Sequence, residues 1–178
     1  MTHVALLRGI NVGGKNALPM KELAQMFSSA GCTGVRTFIQ SGNVIFDAPA
    51  GAAGIGDAIK EKIEKRYGYR IPVILRTSRQ LNKTIRDNPF LKAGVDEKML
   101  HVYFLADTPN ARAMDGLDPA RSAPDAFHLR GQEIYLHLPN GMARTKLTNA
   151  YFDSKLSTTC TARNWATVLK LAAMMAEG

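Results

Sequence analysis

The stretch VRTFIQSGNVIF, residues 35–46, fixes how the first half of the chain folds. Val35 to Gln40 and Asn43 to Phe46 are two runs rich in β-branched and aromatic side chains, and only Ser41 and Gly42 separate them. Strands that close can only form an antiparallel hairpin. Upstream, Met20, Leu23, Ala24, Phe27 and Ala30 recur at helical spacing between Pro19, a favoured first-turn residue, and Gly31, a favoured terminator. Before them, His3 to Leu7 is a short apolar run suited to a buried strand. Downstream, a small, flexible connection from Pro49 to Gly56 leads to a helix marked by Ala58, Ile59, Ile63 and Tyr67, which Gly68 ends, and then to a strand from Ile71 to Arg76. The order is β-α-β-β-α-β, the split-βαβ or ferredoxin-like arrangement, with two helices on one face of an antiparallel sheet.

Ser78 is placed to cap a short helix that Asn88-Pro89 ends, and from Met99 the order begins again. MLHVYFLAD alternates as a strand. Thr108-Pro109 starts a short helix with Ala113 and Met114 inward, and Ala126–Arg130 with Glu133–Leu138 forms a hairpin around Gly131-Gln132. Two helices are expected to finish the chain, from about Thr145 to Lys155 and from about Arg163 to Ala176, the latter capped by Thr161 with Trp165 heading its apolar stripe. The expected fold class is therefore α+β, with two ferredoxin-like lobes. Residues 1–88 form the first and 89–178 the second, which carries an extra C-terminal helix, in one compact unit.

The 178 residues are 46% hydrophobic and 21% charged, which excludes long disorder and fibrous architectures. No run approaches the roughly 20 apolar residues of a membrane span, and MTHVALLRG breaks at Arg8 before a signal region develops, so a soluble cytoplasmic chain is expected. Cys32 and Cys160 lack the spacing of a disulfide framework or a zinc site. The net charge of +8 is unevenly spread. Residues 1–90 hold 13 basic and 6 acidic side chains, against 10 and 9 in the remainder. The excess concentrates in residues 60–86, which contain nine basic side chains and only Glu61 and Glu64. Such a segment is either a steering surface for an anionic partner or a set of solvated helix faces.

LLRGINVGGKN (6–16), PMKEL (19–23), FIQSGNVIF (38–46) and TARNWATVLKL (161–171) resemble the domain-of-unknown-function family numbered 1697. Asn88-Pro89-Phe90, the strand around Tyr103 and LPNG (138–141) are similar to its intervening landmarks. The resemblance spans essentially the whole chain and implies two ferredoxin-like lobes. It implies no activity. Phe38 stands where the family more often has tyrosine, which removes the hydroxyl from that position.

The loop from Arg8 to Asn16 is the main functional candidate. Its glycines let peptide N–H groups turn toward a ligand, Arg8 and Lys15 bring positive charge, and the segment runs from a strand toward a helix. It is neither a Walker A loop nor a dinucleotide fingerprint, because GGKN lacks the following Ser or Thr and GINVGG is not GxGxxG. The candidate ligand-binding residues here are Arg8, Asn11, Gly13, Gly14, Lys15 and Asn16. The same glycines also serve a tight connection that binds nothing. Gln40, Ser41 and Asn43 join the candidates if the hairpin tip lies beside this loop, although a positive φ at Gly42 or Asn43 explains the tip by itself. Arg163 and Asn164 are added because a cation at a helix N-terminus opposes the helix dipole and calls for an anion.

His3, His101, His128 and His137 have no metal-ligand spacing and no nucleophile beside them. No metal, cofactor or catalytic residue is assigned. Three functional readings follow. The first is a small phosphate- or carboxylate-bearing ligand at the loop in a cleft between lobes. The second is nucleic-acid binding through residues 60–86 without sequence specificity. The third is a non-catalytic interaction protein, a homodimer through a sheet face or edge. Sequence-specific RNA recognition through the sheet is disfavoured, because HVALLR and NVIFD offer only Phe46 for base stacking.

Overall fold

The computed structural model describes residues 1–49 and 53–177. Residues 50–52, within the Pro49–Gly56 connection, lie outside the described residues. The chain divides into two compact units. One is Met1–Asn82 together with the C-terminal residues from Leu171; the other is Lys83–Lys170.

In the first unit the elements are β1 (Thr2–Leu7), α1 (Met20–Ser29), β2 (Thr33–Phe38), β3 (Asn43–Asp47), α2 (Ile55–Tyr67) and β4 (Val73–Thr77). The sheet runs β2-β3-β1-β4, every neighbour antiparallel. Alternation along the strands sends Ala5, Leu7, Val44, Phe46 and Val73 into one core with Leu23 and Phe27 of α1 and Ile59 and Ile63 of α2. The rings of Phe27 and Phe46 meet at 4.9 Å between centroids. Pro19 precedes α1 as its cap, its carbonyl accepting from the Leu23 N–H, and Gly31 at φ +85° ends it. Gly68 at φ +72° ends α2 in the same way.

The hairpin differs from expectation in one respect. β2 ends at Phe38, not Gln40, so four residues rather than two cross to β3. The strand stops because Ile39 turns to φ +49°, and the Asn43 amide bridges the gap by donating to the Phe38 carbonyl (3.1 Å) and the Ser41 hydroxyl (3.2 Å).

The helix α3 (Ser78–Arg86) carries the chain from the first unit into the second. The second unit contains β5 (Leu100–Leu105), α4 (Ala111–Asp115), β6 (Ala126–Arg130), β7 (Glu133–His137), α5 (Asn149–Leu156) and β8 (Cys160–Asn164). The chain then enters α6 (Trp165–Ala176). This sheet runs β6-β7-β5-β8. Its core joins Tyr103, Leu105, Ile134 and Leu136 to Tyr151, Phe152 and Leu156 of α5.

Three expectations are corrected here. Met114 is 40% exposed, because α4 is barely more than one turn and presents Ala113 to the core instead. α5 starts at Asn149, where the Thr148 hydroxyl accepts from the Tyr151 N–H. The largest change is at residues 160–164. They form an edge strand paired with β5, and α6 begins only at Trp165, with the Asn164 side chain accepting from the Thr167 N–H at 2.8 Å. The second half is thereby a complete β-α-β-β-α-β unit with the strand order of the first.

The register of the two sheets makes the duplication concrete. His3 lies opposite Phe46 and Thr77, and His101 opposite Leu136 and Asn164. One step along, Val4 faces Arg76, and Val102 faces Arg163. Each arginine is buried, and each donates from Nη1 to the carbonyl of the residue before it, Leu75 at 2.9 Å and Ala162 at 2.7 Å.

Candidate functional site

The loop after β1 folds around two asparagine side chains. Asn11 sits at φ +54°, a left-handed conformation that asparagine tolerates better than most residues. Its Nδ2 donates to the Leu18 carbonyl (2.9 Å) and the Gln40 carbonyl (2.9 Å), while its Oδ1 accepts from the Leu18 N–H (2.8 Å). Asn16, at φ +50°, donates to the Gly9 carbonyl at 2.9 Å. Between them the Asn11 N–H reaches the Asn16 carbonyl and the Lys15 N–H the Val12 carbonyl, closing a small hairpin. Under it, Ile10 is fully buried.

The loop and the β2–β3 tip converge, as the expectation required. Besides the Asn11–Gln40 bond, the Leu7 N–H donates to the Gly42 carbonyl at 2.8 Å. Gly42 stands at φ +85°, and a Cβ there would come within 2.8 Å of the Leu7 Cβ and 3.0 Å of the Ile10 Cδ1. Only glycine fits.

These bonds sort the candidates. The amides of Asn11, Asn16 and Asn43 hold backbone, and Ser41 accepts from Asn43. Gly13, Gly14 and Lys15 form the exposed tip, and Gln40 is exposed beside the loop. Among the described residues no acceptor takes the Gly13 or Gly14 N–H, and no carboxylate pairs with Lys15. Arg8 is half-buried, with its N–H on the Pro72 carbonyl at 3.1 Å.

Arg163 and Asn164 belong to the second unit, and the dipole conflict expected of Arg163 does not arise, because the residue lies on β8 rather than in a helix. Arg163 is 7% exposed and donates to the Thr161 hydroxyl as well as to Ala162. Burial lowers its pKa from the ordinary 12.5 to about 10, which leaves it a cation at neutral pH. Nothing in the sequence except the repeated His-Val pair of β1 and β5 signalled that Arg76 and Arg163 hold matching positions.

The basic segment is less concentrated in space than in sequence. Lys60 pairs with Asp57, Arg66 with Glu22, Arg70 with Glu64 and Lys83 with Asp87, while Arg76 is buried in the sheet. Among the described residues no group of His, Cys, Asp or Glu could hold a metal ion, and no helix is long and apolar enough to cross a membrane.

A family model described as "Protein of unknown function (DUF1697)" matches residues 1–135, three quarters of the chain. The chain belongs to the DUF1697 family. No curated protein matches it. Among solved structures, a conserved bacterial protein, SP0830 from Streptococcus pneumoniae, is similar over 98% of both chains with a TM-score of 0.75 and 20% identity. That likeness is one of fold. The segment matched by the DUF1697 model contains the whole Arg8–Asn16 loop and the tip it meets, together with β1 to β6.

Proposed function

We propose that this DUF1697 protein binds a small ligand bearing a phosphate or carboxylate at the tip of the Arg8–Asn16 loop. Lys15 supplies the charge, and the Gly13 and Gly14 N–H groups supply hydrogen bonds, with Gln40 at the side. The observation that carries the reading is the division of labour within the loop. Five of its residues, Gly9, Asn11, Gly13, Gly14 and Asn16, have positive φ, and the two that are not glycine use their side chains to fix the backbone. Gly13 and Gly14 make the tight turn of the small hairpin in a conformation glycine adopts without strain, and the left-handed backbone at the two asparagines is held by their own side chains, which fixes where that turn stands. The fixed backbone then leaves one cation and two peptide donors exposed side by side, an arrangement that favours an anion.

Thermal melting against inorganic phosphate, pyrophosphate, citrate and sugar phosphates at low ionic strength tests it. A ligand present at 100 times its dissociation constant should stabilise by about 2.7 kcal/mol. The stabilisation should shrink sharply in Lys15→Ala. A panel with no effect on melting, or an equal effect in Lys15→Ala, would contradict the reading.

A further inference from the structure

A groove of about 500 Å³ runs between α1 and α2, away from the loop's residues. Met26 lies in it, 7% exposed. Gln25 and Ser29 of α1 line one side, and Lys62, Lys65 and Arg66 of α2 the other. The charges are not equivalent. Arg66 is neutralised by Glu22, 2.7 Å away, and that carboxylate also accepts from the Tyr67 hydroxyl. Lys62 and Lys65, three residues apart on one side of α2, have no carboxylate partner among the described residues, and Lys62 is half-buried. The groove thus combines apolar surface at Met26 with two uncompensated ammonium groups along one wall. Its size falls in the range of small-molecule sites.

We propose that this groove binds a soluble amphiphilic anion, its phosphate or carboxylate head held by Lys62 and Lys65 and its short apolar tail lying along Met26. A bare anion gains little over water from two lysine ammonium groups alone, with no peptide donor beside them, whereas the tail adds burial in the groove. The site shares no residue with the Arg8–Asn16 loop, so either can fail without the other.

The test is an NMR titration of the full chain, labelled in its methionine methyls, with butyl, hexyl and octyl phosphate, inorganic phosphate and hexanol. The Met26 methyl should move with the alkyl phosphates. Affinity should rise by about fourfold for each methylene that enters the groove, with inorganic phosphate and hexanol each at least about tenfold weaker than hexyl phosphate. The double variant Lys62→Gln/Lys65→Gln should lose about tenfold, and Gln25→Trp, which fills the groove from its exposed wall, should abolish the Met26 response. A Met26 methyl that stays put, affinity independent of tail length, or unchanged binding in the double variant would overturn the proposal. Lysine-dependent sedimentation with phosphatidic acid vesicles, without a Met26 response to soluble alkyl phosphates, would overturn it in favour of a membrane surface.

Discussion

Asn11 does more for the loop than any other side chain. One amide satisfies two carbonyls and one N–H from segments on either side, while its own backbone occupies a left-handed conformation. Asn11→Ala removes all three bonds and places a residue that disfavours positive φ. It should cost about 2–4 kcal/mol in urea unfolding, since each of the three hydrogen bonds, two partly buried and one exposed, contributes at most about 1 kcal/mol and the left-handed backbone adds about as much again. Asn11→Gly relieves the backbone but not the bonds, so its loss should be smaller; equal losses would mean that the side chain, not the conformation, carries the whole effect. This role was only partly legible in the sequence. RGINVGGKN announced a loop, but nothing in it distinguished asparagines that hold backbone from asparagines that face a ligand, because that depends on where Leu18 and Gln40 arrive.

At the scale of elements, the outcome turned on how strong each local signal was. α1 and α2 were legible because apolar residues repeat at helical spacing between a proline or glycine start and a glycine stop, and both glycines have the left-handed conformation that ends a helix. β8 was not. CTARN is five residues long, holds an arginine and an asparagine, and abuts an apolar helical stripe that reads smoothly backward through it; only pairing with β5 makes it a strand. The matching place of Arg76 on β4 and Arg163 on β8 carries a prediction. Truncating either buried guanidinium leaves polar neighbours without it, so Arg76→Ala and Arg163→Ala should each destabilise the fold by about 2–4 kcal/mol in denaturant melts. An effect of a few tenths of a kcal/mol at either position would show that the two strands do not play equivalent structural parts.

For the molecule as a whole, the formal charge of +8 and its concentration in residues 60–86 pointed toward an anionic partner. In three dimensions five of the nine basic side chains of that segment are paired or buried; those in no salt bridge among the described residues are Lys62 and Lys65 in the groove and the exposed Arg79 and Arg86 of α3, and Lys15 belongs to the loop. Sequence proximity overstated the patch because the helical and strand residues of that segment point in different directions. Stability should also carry a pH signature from His101. Burial lowers its pKa below the ordinary 6.5, so in the interval beneath that value the unfolded chain binds more protons than the folded one. The contribution is fully present above about pH 6.5 and is lost as the pH falls through the depressed folded value. Melting temperature should therefore drop between pH 7.5 and 5, and His101→Gln should flatten the drop; a wild-type slope that persists unchanged in the variant would assign it to other groups.

Binding of an anion by Lys15 and the Gly13 and Gly14 peptide donors of the Arg8–Asn16 loop is tested by an amide-resolved NMR titration with inorganic pyrophosphate. Saturable shifts at Gly13, Gly14 and Lys15, weakened about tenfold in Lys15→Ala, are the predicted result. Amides of this loop that do not respond, or that respond identically in Lys15→Ala, would contradict it.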